Sequence, residues 1–215
     1  MRVRADLNIS LDGFAAPAPG SGTPENPFGA DWLRLVGPYT ATRTFQERVL
    51  GKTGHGTTGV NDRFAIEYFA DIGAEIMGAG KFGFHTYPDN PDWRGWWGDD
   101  PPFHYPVFVL THSAPRPSIE MKGGTTFHFV SLAPEEALAM AKEAANGRDV
   151  RIGGGPTVVR DFLKAGLIDV LHVAVTPIVL GQGERLWDGL RDIDLGYRAV
   201  CEGGEDGVAH VTYTR

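Results

Sequence analysis

A short strand-like run, Val150-Arg151-Ile152, meets three consecutive glycines, Gly153, Gly154 and Gly155, followed by Pro156 and Thr157 at the start of a helical pattern. A phosphate approaches a backbone closely only where no side chain intervenes, and glycine also permits the φ values that such an approach needs. The helix that follows offers unpaired N–H groups and a partial positive charge to an anion. Pro156 removes one N–H but presets the first helical turn. An ordinary strand-to-helix turn needs one glycine, and three in a row cost conformational entropy. The segment therefore reads as a site for an anionic group such as a cofactor carries, the alternative being a strand-to-helix turn that merely uses flexible residues.

Other residues carry weaker chemical signals. Gly78-x-Gly80-x-x-Gly83 matches a dinucleotide fingerprint after a strand, but Tyr87-Pro88 ends any helix almost at once, which excludes the Rossmann arrangement. Lys81 within it either meets a phosphate or is a solvated surface lysine. Thr111-His112-Ser113 follows an apolar strand, and ligands gather at the carboxyl ends of strands in open α/β sheets. The alternative there is turn capping before Pro115. Asp62 stands at a helix start, as a cap or as an acid in a pocket. Trp93, Trp96 and Trp97 either line a planar substrate, anchor a long loop or form an oligomer interface.

Several chemistries are excluded. Gly51-Lys52-Thr53 resembles the end of a P-loop, but no strand leads in and Gln46 occupies the first glycine position. The seven histidines form no H-x-x-x-H pair and Cys201 is the only cysteine, so no metal is expected. No G-x-S-x-G elbow occurs.

The elements that position these residues follow from periodicity. Val3, Ala5, Leu7 and Ile9 alternate with polar residues, as a strand does, and Asp12-Gly13 marks a turn. Pro17 to Pro27 reads as a loop. Trp32 to Val49 reads as helical with a break near Gly37-Pro38, and Gly51 to Gly59 as a loop. Asn61 or Asp62 would cap a helix reaching about Ile72. Glu75–Met77 is a strand, Gly78–Lys81 a turn, and His85 to Pro106 a long aromatic excursion. Val107–Leu110, Phe127–Val130, Val150–Ile152, Leu171–Val175 and Val208–Tyr213 read as strands. Helices begin at Pro134, reaching about Asn146, and at Pro156, stopped by Gly166. Alternation of strands and helices implies an α/β domain with a largely parallel sheet, and the last strands leave no room for a helix, so they pair antiparallel.

The chain has 215 residues with 42% hydrophobic and 22% charged, enough for one sizeable domain. A net charge of −7 offers no basic footprint for nucleic acid or an anionic membrane. A single cysteine fits a reducing, cytoplasmic setting. The first residues are strand-like rather than a signal peptide, and no apolar run is long enough to span a bilayer.

Four groups of residues together resemble the dihydrofolate-reductase-like proteins, and more closely the C-terminal reductase domain of bacterial riboflavin-biosynthesis proteins. They are Asn8–Gly13, Ala74–Gly78, Val107–Ser113, and Val150–Leu163 continued by Asp169–His172 and Thr176–Gly181. The resemblance spans almost the whole chain. It implies a single three-layer domain over 1–215, with a central mixed, mostly parallel sheet and an antiparallel C-terminal strand pair. It implies NADPH as hydride donor, with Gly153, Gly154, Gly155, Pro156 and Thr157 at the diphosphate. By the same comparison Gly80, Lys81, Thr111 and His112 lie near the adenosine side, and Asp12 and Gly13 beside the nicotinamide. It implies a small heterocyclic substrate and allows a homodimer. Asp62 matches the substrate-side carboxylate of the folate enzymes only if the helix aligns without gaps. The tryptophan of their first loop is missing from Ser10–Ala16, and the zinc deaminase patterns H-x-E and P-C-x-x-C are absent. Segments 15–59 and 85–106 exceed the minimal fold and would shape the substrate pocket. The competing expectation is a cofactor-binding module or sensor that keeps the fold without turnover.

Overall fold

Alternation of Val3, Ala5 and Ile9 with more polar neighbours builds β1 (Val3–Ser10), and the turn at Asp12-Gly13 leads to a short β2 (Phe14–Ala16). Three helices follow, α1 (Gly29–Thr40), α2 (Arg43–Arg48) and α3 (Val60–Phe69). Then come β3 (Ile72–Gly78), α4 (Ala79–Gly83), β4 (Pro106–Leu110), β5 (Ile119–Glu120), β6 (Thr126–Val130) and α5 (Pro134–Ala144). The chain continues through β7 (Asp149–Ile152), α6 (Pro156–Lys164), β8 (Val170–Thr176), β9 (Glu184–Arg185), β10 (Arg198–Gly203) and β11 (Ala209–Thr214). This computed structural model describes residues 1–18, 28–83, 86, 89–113 and 116–215. Residues 19–27 of the expected Pro17–Pro27 loop, His85 and Tyr87-Pro88 of the aromatic excursion, and Pro115 lie outside the described residues.

The chain divides into two compact units. The first comprises Met1–Ala5 and Asp71–Asp169. Its strands lie in the order β1-β7-β3-β4-β6-β5. All neighbours pair in parallel except the short β5 on β6. Every residue of β3 and β7 is buried, as expected of strands covered on both faces. Helix α5 packs against β3, β4 and β7, and α6 packs against β3 and β7. On β6 the alternation of Phe127 and Phe129 with Thr126, His128 and Val130 sends the two rings into a core with Met77, Phe82, Val107 and Val109. Trp93 and Trp97 pack onto this core from the aromatic excursion.

The second unit comprises Asp6–Ala70 and Val170–Arg215, with strands in the order β10-β11-β8-β1. Strands β8, β11 and β10 form two successive antiparallel pairs, so the expected antiparallel ending is present and one strand wider than expected. Strand β10 is exposed at every residue, which removed the apolar alternation that would have marked it in the sequence. Helices α1, α2 and α3 pack together, and α1 also packs against β8.

Three boundaries differ from expectation. Helix α1 runs through Pro38, and the break falls instead at Ala41-Thr42, where Thr42 caps α2 by accepting from the N–H of Phe45 at 3.3 Å. Helix α3 stops at Phe69, and Ile72 opens β3 as a core residue. Of the residues Gly78–Lys81, expected as a turn, Gly78 closes β3 and Ala79–Lys81 open the five-residue helix α4. Neither Asn61 nor Asp62 caps α3. Glu205 does so, accepting from the N–H groups of Val60 at 3.0 Å and Asn61 at 2.9 Å.

Phe127 is fully buried between Phe82, Trp97 and Phe103. Phe127→Ala is expected to cost about 3–5 kcal/mol of stability. Urea unfolding of both proteins measures it, and a loss below about 1 kcal/mol would contradict this account of the core.

Candidate functional site

Strands β3 and β7 of the first unit run side by side with Glu75 opposite Arg151. Both side chains are completely buried. Arg151 donates from Nε to Glu75 Oε2 at 2.9 Å and makes a second, shorter contact to the same oxygen through a terminal nitrogen. That nitrogen also donates to the Tyr105 hydroxyl at 2.7 Å, and the hydroxyl donates to Glu75 Oε2 at 3.3 Å. Lys81 of α4 closes the group, with Nζ 3.2 Å from Glu75 Oε1 and 2.6 Å from the carbonyl of Gly153. Burial alone would raise the Glu75 carboxyl, but the charges and hydrogen bonds of Arg151 and Lys81 hold it below its ordinary value.

This charged group sits directly under the glycine turn. A Cβ on Gly153 would stand 1.9 Å from Glu75 Oε1, so this glycine is required by the carboxylate beneath it. Gly154 has φ +96°, in the left-handed region, and the Gly154-Gly155 peptide is cis. A Cβ on Gly155 or on Gly80 would meet nothing within 4 Å. Gly78 ties the two glycine segments together, its N–H donating to the Gly154 carbonyl at 2.8 Å. The three glycines thus answer to three different demands: contact below, backbone conformation, and open space above.

Helix α6 starts at this turn with Gly155 as its N-cap and Pro156 in its first turn. Val159, Phe162 and Leu163 bury one face. Thr157 is exposed and accepts a hydrogen bond from Arg160 at 3.0 Å. A guanidinium therefore stands one turn into a helix whose first N–H groups have no intrahelical acceptor. Oriented N–H groups, a helix start and a nearby cation favour a bound anion.

The first unit therefore gathers Gly80, Lys81, Gly153, Gly154, Gly155, Pro156 and Thr157 around one turn. Lys81 is spent on Glu75 and Gly153, a role between the phosphate contact and the solvated lysine expected of it. Thr111 is buried at the end of β4 and its hydroxyl accepts from the N–H of Ser113 at 3.0 Å, while His112 is exposed. The indole N–H of Trp93 donates to the Phe82 carbonyl at 2.9 Å and that of Trp96 to the Lys81 carbonyl at 3.0 Å. Trp96 stacks on Trp97, with centroids 4.4 Å apart. These contacts anchor the aromatic excursion to the helix that carries Lys81.

Asp12, Gly13 and Asp62 belong to the second unit. Asp12 clasps a loop: it accepts from the Ser10 hydroxyl at 2.6 Å, from Leu180 N–H at 3.1 Å and from Gly181 N–H at 2.8 Å. The hydroxyl of Ser10 first, then these backbone groups, bring its carboxyl down to about 2. Asp62 is buried and accepts from the N–H of Thr44 at 2.8 Å, so it caps the neighbouring α2. Sequence reasoning missed Glu75, Arg151, Tyr105 and Arg160. The available signal was a charge inside each of two apolar strands, Ala74-Glu75-Ile76-Met77 and Val150-Arg151-Ile152. Asp6, His172 and His210, which face one another in the second unit, were missed as well.

Among the described residues no group of three or more His, Cys, Asp and Glu side chains is placed to hold a metal ion. No helix among them is long and apolar enough to cross a membrane. Fold and turn together define an α/β protein with a glycine-rich strand-to-helix turn above a buried ion pair. The chain belongs to the RibD C-terminal domain family, whose model matches residues 2–206. No curated protein matches it by sequence. A solved structure from Shewanella sp. PV-4, assigned to riboflavin biosynthesis, is similar at 20% identity over 100% of this chain and 99% of that one, with a TM-score of 0.58. The diaminohydroxyphosphoribosylaminopyrimidine deaminase/5-amino-6-(5-phosphoribosylamino)uracil reductase of Thermotoga maritima is similar at 15% identity and a TM-score of 0.56. That match covers 99% of this chain and 56% of the Thermotoga protein, so the chain spans just over half its length. Acinetobacter baumannii RibD is similar at 16% identity and a TM-score of 0.51, over 99% of this chain and 57% of that one. At these identities the structures share the fold.

Gly153→Ala drives a methyl into Glu75 and is expected to cost about 1–3 kcal/mol by denaturant unfolding. Gly80→Ala, facing open space, is expected to leave stability within about 1 kcal/mol of the wild type. For Asp12, a folded-state pKa below the unfolded one gives stability that is present above the unfolded value and lost as pH falls through the folded one. Thermal melts between the ordinary 3.8 and about 2 should therefore steepen with acid in the wild type and flatten in Asp12→Asn. Equal slopes would refute the clasp.

Proposed function

We propose that this protein is a reductase that takes hydride from NADPH and delivers it to a small heterocyclic substrate of the riboflavin-precursor kind. The observation that carries the reading is the glycine turn at the start of α6, with open space over Gly80 and Gly155 and Arg160 beside it. An extended dianionic diphosphate fits such a cradle, because a backbone without side chains lets it approach and N–H groups face it. Membership of the RibD C-terminal domain family supports a pyrimidine-type reductase. The Thermotoga protein of the same fold is named for reduction of 5-amino-6-(5-phosphoribosylamino)uracil.

When bound, the nicotinamide supplies the hydride. The protein's own work is positioning. Gly155, Thr157 and Arg160 would hold the diphosphate, with Gly80 leaving room beside them. Glu75, Arg151 and Lys81 would keep the Gly153 carbonyl and the turn in one geometry. Thr111 and His112, at the carboxyl end of β4, are assigned to the adenosine side. The tryptophans are assigned to anchoring the excursion at residues 89–105 rather than to gripping substrate.

Calorimetric titration with NADPH tests this reading. Saturable binding is expected, weakened about tenfold, or about 1.4 kcal/mol, by Arg160→Glu with unfolding unchanged. No binding up to about 1 mM NADPH would sink it. Loss of NADPH absorbance on adding 5-amino-6-(5-phosphoribosylamino)uracil tests the substrate class. Binding without turnover of this or related heterocycles would leave a cofactor-binding module.

A further inference from the structure

Strand β10 is the outermost strand of the second unit's sheet and pairs with β11 on one side only. All of its residues are exposed, Val200 at 55%. The turn of its hairpin fixes which backbone groups face outward. Gly204 donates to the Val208 carbonyl at 2.7 Å, just beyond the continuous register that runs from Arg198 opposite Thr214 to Gly203 opposite Ala209. In an antiparallel ladder, residues that bond to the neighbouring strand alternate with residues that turn their N–H and C=O away. Counted back from Gly204, the residues Glu202, Val200 and Arg198 bond to β11. Gly203, Cys201 and Ala199 therefore point theirs outward, and among the described residues these groups have no backbone partner.

An edge of this kind is ordinarily blunted by shortness, lysine, proline or a bulge. The outer strand of the first unit, β5, is blunted by shortness, with two residues. Strand β10 has none of these protections: it is six residues long, contains no Lys or Pro, and keeps an unbroken register with β11. Its sequence, Arg198-Ala199-Val200-Cys201-Glu202-Gly203, is instead matched to itself. A second β10 running antiparallel must set outward-facing residues against outward-facing residues, so a two-fold axis passes through one residue of the strand. With that axis at Val200, Val200 meets the partner's Val200, Arg198 meets the partner's Glu202, and Glu202 meets the partner's Arg198. Opposite charges then flank an apolar pair on one face. Moving the axis to Cys201 sets Val200 against the partner's Glu202, and moving it to Ala199 sets Val200 against the partner's Arg198. Of these three registers, the one centred on Val200 matches charge with charge and apolar with apolar. Glu202 already holds Arg63 of α3, so in the pair it lies between two guanidinium groups.

We propose that β10 is a docking edge for a second copy of this chain, joined by antiparallel strand pairing about a two-fold axis at Val200. The main-chain bonds carry the association, exchanged between Ala199 of each copy and the partner's Cys201. The Arg198 and Glu202 charges set the register more than the affinity, because exposed ion pairs contribute little. An edge this short with one apolar pair at its centre fits a dimer in exchange with monomer rather than an obligate one. The proposal uses no residue of the glycine turn and stands apart from the cofactor reading.

Sedimentation velocity of the full chain tests the pairing. The wild type is expected to reach twice the chain mass by about 100 μM and to dissociate on dilution. Val200→Lys sets two ammonium groups against each other at the axis, and Arg198→Glu sets a carboxylate against the partner's Glu202. Each is expected to raise the dimer Kd at least about tenfold with the far-ultraviolet circular dichroism unchanged, since both side chains are exposed in the single chain. A wild type that stays monomeric at about 100 μM would overturn the proposal, as it would if the edge served a foreign segment instead. A dimer equally tight in Val200→Lys would overturn it as well, because the contact would then lie elsewhere. The register is read by cross-linking under copper phenanthroline in air. Val200→Cys combined with Cys201→Ser is expected to form a disulfide-linked dimer, because residues facing each other at a non-bonded antiparallel position have Cα atoms about 4.5 Å apart, within disulfide reach. The wild type, with Cys201 opposite the partner's Ala199, is expected to remain unlinked. Linkage through Cys201 in the wild type, or none in the double variant, would overturn the axis at Val200.

Discussion

A carboxylate and a guanidinium sealed between two parallel strands set the terms for the first unit. Glu75 and Arg151 have no exposed surface, and taking two charges out of water costs several kcal/mol for each. The cost is offset because their oxygens and nitrogens are used by one another, by Tyr105 and by Lys81 among other partners. Removing either partner would strand the other, an expense of about 3–5 kcal/mol. The pair also fixes the register of β3 against β7, since a slip of one residue would send the charges to opposite faces. The glycine turn inherits that register: its first residue has no room for a side chain and its carbonyl is held by Lys81.

The second unit also places polar groups on inner strands. There Asp6, His172, His210 and Asn61 lie in a line of contacts between 2.8 and 3.2 Å, and the ring of Phe64 stacks on both imidazoles. In the first unit the buried polar atoms are satisfied by opposite full charges; in the second the contacts run mainly between rings and an amide, with an aromatic face covering them.

Most of the architecture was legible from the chain. Continuous apolar runs such as Val107–Leu110 and strict alternation such as Val3–Ile9 carry their own period, and Pro134 and Pro156 mark helix starts. What escaped was decided at long range. Strand β10 has no buried residue and so no period. The cap of α3 comes from Glu205, 145 positions from Val60. The helix α1 continues through Pro38 because its packing outweighs a local preference. The glycine turn was readable as a turn with special backbone demands, but the reason for Gly153 in particular was not. It depends on Glu75, which looks in sequence like one polar letter in an apolar strand. Asp62 stands out in the sequence as a carboxylate at a helix start, and Asp12 through the family resemblance; the backbone N–H groups that both accept come from segments only the folded chain brings to them.

Lys81 stands between two kinds of partner. Its ammonium holds the Gly153 carbonyl, while its own carbonyl accepts the indole N–H of Trp96, which is stacked on Trp97. An indole excited state is strongly dipolar and responds to the group its N–H donates to. The molecule thus carries a built-in optical gauge, wired through a single residue to the glycine turn. Any displacement of that turn pulls on Lys81 and changes the electrostatic surroundings of a fluorophore without any label being attached.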